Sequence, residues 1–135
     1  MCEAIIDKYR NTTTQDKHQH SLSFGQAQKW VNMTLKNLYV YSESNTTQLS
    51  LQPILQHLQI PIDNVILDIA SDQKKCYVDP ANISYNVIRP EGVWSDWDYA
   101  TYKYYQDKLI KKIEATHPKM QPIIWELTHW STVKD

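Results

Sequence analysis

The sequence predicts an all-α fold, a single compact domain of five to six helices around two long amphipathic ones. Two glycines occur in 135 residues, so few positions can adopt the positive φ angles that tight hairpins and phosphate loops need. Two stretches, 23–41 and 95–116, repeat apolar residues at helical spacing. We therefore expect one helical domain over residues 1–135, with an exposed loop at 11–22 and a long loop at 73–93.

The chain before the first long stretch predicts one short helix. Ile5, Ile6 and Tyr9 fall at helical spacing in the range 2–9. The range 11–21 is polar and without periodicity, which indicates a loop.

The first long stretch begins with a capping box. The Ser23 hydroxyl can accept a hydrogen bond from the backbone three residues on, and the Gln26 side chain can reach back to Ser23. One broad face of this helix is expected to be core, and it consists of Ala27, Trp30, Val31, Thr34, Leu35, Leu38 and Tyr41.

The middle of the chain predicts two shorter helices. Pro53 is tolerated in a first turn, so a helix should start near Gln52 and carry Ile54, Leu55 and Leu58 inward. Asp63 follows Pro61-Ile62 and is a good N-cap for an apolar helix over 64–71. In the long loop that follows, alternation at Ile83, Tyr85 and Val87 permits a short extended segment.

The last third predicts the second long helix and a closing one. Ser95 is expected to open the long helix, with Asp98 adding negative charge to its first turn. Its inward stripe is Tyr102, Tyr105, Leu109 and Ile113. Pro122 predicts the first turn of a final helix that ends near Trp130.

Composition excludes several classes of protein. No apolar run approaches the roughly 20 residues of a membrane-spanning helix. The net charge of −1 argues against a strongly basic nucleic-acid binder but leaves room for a local patch. Cys2 and Cys76 are too few for a disulfide framework. The start lacks the basic and apolar regions of a signal peptide, so we expect a cytoplasmic protein with free thiols.

Motifs for metal binding and catalysis are weak or missing. His18 and His20 lie near Asp16, but no further ligand stands at a recognisable spacing and no predicted element would hold the imidazoles. The sequence has no phosphate loop, serine nucleophile elbow or glycine-rich DNA-binding hairpin. We assign no catalytic residue, no metal and no cofactor.

A polar stripe runs along the first long helix. Gln28, Asn32 and Lys36 recur every four residues, with Lys29 beside them and Gly25 below. The common explanation for such a stripe is a solvated face. The alternative is a binding surface, because two ammonium groups and two amides share it.

The landmarks of the sequence follow one another in a fixed order. They are Gly25-x-x-Gln28-Lys29-x-x-Asn32-x-x-x-Lys36, then Pro61-Ile62-Asp63, then Trp94-Ser95 with Tyr102 downstream, then Trp125-Glu126-Leu127. This order resembles a family of small uncharacterised bacterial proteins with no known activity. The resemblance runs from about Gly25 to Trp130 and implies a shared domain.

The leading hypothesis is a small soluble binding domain whose stripe receives an anionic ligand such as nucleic acid, with Trp or Tyr side chains stacking on it. One alternative is an enzyme that pairs a desolvated Lys29 or Lys36 with Asp63 or Glu126 as acid and base. Another is a structural or protein-interaction role. The candidate ligand-binding residues are Gln28, Lys29, Asn32, Lys36, Asp63, Trp94, Tyr102 and Glu126.

Overall fold

All regular structure in the described residues is helical, and the prediction of a single all-α domain is confirmed. The computed structural model describes residues 1–12, 22–44, 50–71 and 87–131, with the side chains of 9–12 and 131 left out. The α-helices are α1 (Cys2–Thr12), α2 (Phe24–Ser44), α3 (Asn64–Ser71), α4 (Tyr99–Thr116) and α5 (Pro122–Ser131), and two 3₁₀ helices span Gln52–His57 and Trp94–Asp96.

Several predictions fall outside the described residues. They are the histidine motif at 18–20, the free thiol of Cys76, the start of the extended segment at 83–85, and most of the loops at 11–22 and 73–93. Residues 11 and 12 belong to α1 and not to the predicted loop.

Helix α2 begins with the predicted capping box. The amide of Gln26 donates to the Ser23 hydroxyl at 3.1 Å, and the amide of Ser23 donates to Gln26 Oε1 at 3.2 Å. These two bonds satisfy donors that the first turn of a helix leaves open. The local signal at Ser23 is therefore confirmed.

The core-facing side of α2 differs from the predicted one. Ala27 and Val31 are buried as expected, but Trp30 is 57% exposed and Tyr41 59% exposed. Thr34 and Leu38 are also exposed. The helix is rotated so that the polar stripe faces inward, and its buried residues are Gly25, Ala27, Gln28, Val31, Asn32, Lys36, Tyr39 and Ser42. The reason lies in the partners of that stripe, described below.

Two further predicted helices also need correction. The segment that starts near Gln52 is a 3₁₀ helix, with about three residues per turn. That repeat aligns Leu55 with the buried Leu58 and leaves Ile54 exposed. The second long helix starts at Tyr99, because Asp98 is its N-cap and accepts from the amide of Thr101 at 2.8 Å.

Ser95 does not open α4 because its carbonyl serves α2. The Ser23 hydroxyl donates to Ser95 O, and the amide of Gly25 donates to Trp97 O at 2.9 Å. The second 3₁₀ helix is thus docked on the first turn of α2.

The core lies among α3, α4, α5 and the segment 58–63. The predicted inward stripe of α4, Tyr102, Tyr105, Leu109 and Ile113, is fully buried. The segment 58–63 contributes Leu58, Ile60 and Ile62, all of them buried. Residues 59–62 of this segment lie in no helix, and the segment positions the site.

The contact between α2 and the second 3₁₀ helix gives a test of the packing. A Cβ atom on Gly25 would lie 2.0 Å from Trp94 O, so Gly25→Ala should reduce the free energy of unfolding by at least about 2 kcal/mol. Gly92→Ala is the control, because Gly92 has a φ of 80° with open space around it and should cost only about 1 kcal/mol of backbone strain. Urea unfolding measures both, and equal costs would contradict the close contact.

Candidate functional site

Residues 60–62 are buried between α2 and α4, and their peptide groups need partners there. The amide side chain of Gln28, on α2, meets the backbone of Ile62. Its Nε2 donates to Ile62 O at 3.2 Å, and its Oε1 accepts from Ile62 N at 3.4 Å. On the other side, Gln106 of α4 donates from Nε2 to Ile60 O. The two glutamines thus take the place of neighbouring strands.

These backbone contacts fix how the next amide is oriented. Because Gln28 Oε1 faces a backbone N–H, it is an acceptor, and Asn32 Nδ2 donates to it at 3.1 Å. Asn32 Nδ2 also donates to the Tyr102 hydroxyl at 2.9 Å. Both amide hydrogens of Asn32 are therefore used in hydrogen bonds to other protein atoms.

The Tyr102 hydroxyl joins side chains of α2 and α4 in one hydrogen-bond network. It accepts from Asn32 Nδ2 and from Gln106 Nε2, each at 2.9 Å. A hydroxyl has two lone pairs and one hydrogen, so its hydrogen must go elsewhere. It goes to Gln59 Oε1 at 2.9 Å, which turns the Gln59 amide nitrogen away from Tyr102.

A groove of about 340 Å³ lies over one end of this network, between α1, α2 and the start of α4. Helix α1 packs against α2 and forms one wall. Phe24 and Tyr99 form another, with ring centroids 5.1 Å apart in an edge-to-face arrangement. The groove is lined by Met1, Cys2, Glu3, Phe24, Val31, Asn32, Leu35, His57, Gln59 and Tyr99.

Two amides of this network each keep one polar atom without a protein partner in the described part of the chain. Asn32 is 5% exposed, and no described group donates to its Oδ1, because both of its bonds run through Nδ2. Gln59, which is exposed, uses Oε1 for Tyr102, so its Nε2 keeps its two hydrogens. The groove therefore holds an acceptor beside a donor.

Lys29 and Asp63 form the first of two ion pairs beside the network. The Lys29 ammonium contacts Asp63 Oδ2. The other oxygen of Asp63 accepts from the amide of Ile66 at 2.9 Å, which confirms the predicted N-cap of α3. The Lys29 ammonium also lies 5.9 Å from the centroid of the Trp94 ring, within cation–π range.

Lys36 and Glu126 form the second ion pair, which is more deeply buried. Lys36 Nζ lies 2.9 Å from Glu126 Oε1, and the two residues are 6% and 1% exposed. The ammonium lies 5.4 Å from the centroid of the Trp130 ring. Glu126 Oε2 is buried, and no described group bonds to it.

Burial perturbs the ionisable groups around the network. Desolvation raises the pKa of Glu126, and the hydrogen bond and charge of Lys36 offset part of that increase. Desolvation also raises the pKa of Tyr102, so the hydroxyl stays protonated. Burial raises the pKa of the Cys2 thiol in the groove, which keeps it a weak nucleophile.

The structure sorts the eight residues singled out in the sequence into three groups. Gln28, Asn32 and Tyr102 belong to one hydrogen-bond network. Lys29 pairs with Asp63 near Trp94, and Lys36 pairs with Glu126. Of all eight, only Asn32 lines the groove.

Sequence reasoning missed Gln59 and Gln106. Gln106 follows Tyr102 by four residues, so helical spacing could have placed it on the inward side of α4. Gln59 carried no such signal, because it lies outside any regular helix and its role depends on Tyr102, 43 positions away.

Comparisons with protein-family models, curated proteins and solved structures found no match to this chain. Two further observations bear on the site. Within the described ranges, no three His, Cys, Asp or Glu side chains converge into a metal site. No helix there is long and apolar enough to cross a membrane. The function is therefore argued from the geometry alone.

The buried pair of Lys36 and Glu126 predicts a pH-dependent stability. A raised pKa means that folded Glu126 holds a proton that the unfolded chain has already released. The free energy of unfolding therefore falls as the pH rises from the ordinary glutamate pKa towards the raised one. Lys36→Met removes the ammonium that lowers this pKa, so the free energy of unfolding should decrease more steeply with pH. At neutral pH the substitution should reduce it by about 3 kcal/mol.

Urea unfolding between about pH 4 and about pH 8 measures this effect. The control is Lys36→Met combined with Glu126→Gln, which has no carboxyl to titrate and should lose the added pH dependence. A Lys36→Met cost that stays constant over this range would contradict the assignment.

Proposed function

We propose that this chain is a small-molecule-binding domain whose site is the groove between α1, α2 and α4. The observation that carries the proposal is Asn32, a buried side chain whose Oδ1 accepts nothing from the described residues and which lines the groove. Small-molecule sites are concave and mostly apolar, with a few fixed polar groups that orient the ligand.

The shape of the groove supports a small ligand. Its volume of about 340 Å³ lies near the lower end of the range for ligand pockets, which is about 300 to 1,000 Å³. Val31 and Leu35 supply apolar surface, and Phe24 and Tyr99 supply aromatic surface. A ligand of one or two rings fits these dimensions.

The charges support an uncharged ligand over the anion that the polar stripe suggested. Lys29 is neutralised by Asp63, and Lys36 by Glu126. An anion at either lysine would have to displace a carboxylate that is already bound. The proposal therefore keeps Asn32 and Tyr102 as functional residues, and the four charged residues support the scaffold around them.

The compartment proposed is the cytoplasm. Cys2 is a free thiol in the groove wall, and free thiols persist in the reducing cytosol. The raised pKa of this thiol supports non-covalent binding.

Acid–base catalysis by Lys36 and Glu126 is a second candidate. It is favoured by the raised pKa of Glu126 and by the unpartnered Oε2. Neither side chain lines the groove, so a ligand in the groove would not contact the pair.

The proposal is tested by titrating uncharged one- and two-ring heteroaromatic fragments into isotope-labelled protein. We expect at least one fragment to shift the side-chain amide resonances of Asn32 and Gln59. Leu35→Trp places a bulky ring in the groove and should abolish these shifts, because Leu35 lines it.

Ile110→Trp is the matched control, because Ile110 lines a separate cavity of about 320 Å³. Binding should survive this substitution. The proposal fails if no fragment shifts the two amides, or if the shifts persist in Leu35→Trp.

A further inference from the structure

We infer that the groove recognises the hydrogen-bonding edge of an uncharged nucleobase, presented as a base or a nucleoside. This inference rests on the proposed function and specifies its ligand class. The edge that fits has an N–H donor next to an acceptor, as in adenine and uracil. The N–H would donate to Asn32 Oδ1, and the acceptor would receive a hydrogen bond from Gln59 Nε2.

The protein fixes which atom of each amide faces the ligand. Backbone groups of Ile62 orient Gln28, Gln28 orients Asn32, and the single hydrogen of Tyr102 orients Gln59. Neither amide can reverse without placing two donors or two acceptors against each other. The acceptor at Asn32 and the donor at Gln59 are therefore built in.

The Asn32 acceptor and the Gln59 donor belong to neighbouring amides and would contact one edge of the ligand. Asn32 Nδ2 and Gln59 Oε1 are each 2.9 Å from the same hydroxyl oxygen, so the two amides are neighbours. Both residues line the groove. Asparagine and glutamine amides recognise adenine by the same combination of one accepted and one donated hydrogen bond.

The walls of the groove include two aromatic rings. Phe24 and Tyr99 line the same groove as the two amides. Aromatic side chains stabilise nucleobases by stacking, a contribution that every base can receive. The walls thus select a flat ring, and the amides select its edge.

The lining of the groove lacks the side chains that most often bind phosphate. No Lys or Arg is among the described residues that line it, and Glu3 adds a carboxylate. Lysine and arginine supply many of the phosphate contacts in nucleic-acid complexes. The groove therefore offers a phosphate group no lysine or arginine side chain.

The first experiment compares ligands that differ by one methylated nitrogen. Uridine and adenosine should bind, and 3-methyluridine and N6,N6-dimethyladenosine should bind at least about tenfold more weakly, because methylation removes the N–H that Asn32 accepts. Nuclear magnetic resonance titration gives each dissociation constant.

The second experiment changes the specificity of the site. Gln59→Glu keeps an oxygen for the Tyr102 hydroxyl and replaces the outward donor by an acceptor. The groove would then present two acceptors, which match the N1–H and N2–H donors of guanine, so guanosine should gain at least about tenfold relative to uridine. Gln52→Glu is the matched control, since Gln52 is exposed on the 3₁₀ helix that precedes Gln59 and lines neither cavity, and it should leave the preference unchanged.

The outcomes separate this inference from the proposed function. If fragments bind in the groove but methylation of the nucleosides has no effect, or Gln59→Glu leaves the preference for uridine intact, the inference is overturned and the binding site remains. If the fragments themselves leave the groove resonances unchanged, the proposed function fails first and the inference fails with it.

Discussion

The peptide groups of residues 58–63 impose the constraint on which the rest of the structure depends. Residues 59–62 of this segment lie in no helix, and a buried peptide group without a partner costs about 1–3 kcal/mol. Gln28 and Gln106 supply partners from the two long helices. Each long helix must therefore turn a polar side chain into the core, which explains why α2 buries its polar stripe and leaves Trp30 exposed.

Side chains also bind backbone groups at both ends of α3. Asp63 caps its first turn and also binds Lys29, and Lys112 of α4 donates to Ala70 O near its last turn. A short helix gains little from its own hydrogen bonds, so these side chains from other helices help to hold it. Several of the buried polar residues of this protein can thus be understood as supports for the region 58–71.

The groove follows from this scaffold. The network leaves hydrogen-bonding atoms unused at Asn32 and Gln59, which line the groove, and at Gln106 Oε1, which is buried. The two ion pairs are formed by Lys29 and Lys36, which belong to the same polar stripe of α2. Trp94 and Trp130 lie beside their ammonium groups. Scaffold and candidate site are therefore parts of one polar system.

The sequence by itself determined the helical class, the capping box at Ser23, the cap at Asp63 and the inward stripe of α4. Each of these depends on residues within a few positions of one another, where helical geometry alone decides which groups meet. Tertiary structure decided that Gln28, Asn32 and Lys36 face inward, because their partners Ile62, Tyr102 and Glu126 lie 34, 70 and 90 positions away. A polar stripe has the same sequence pattern whether its hydrogen bonds go to water or to a buried peptide group. Only the fold brings the buried peptide group next to it.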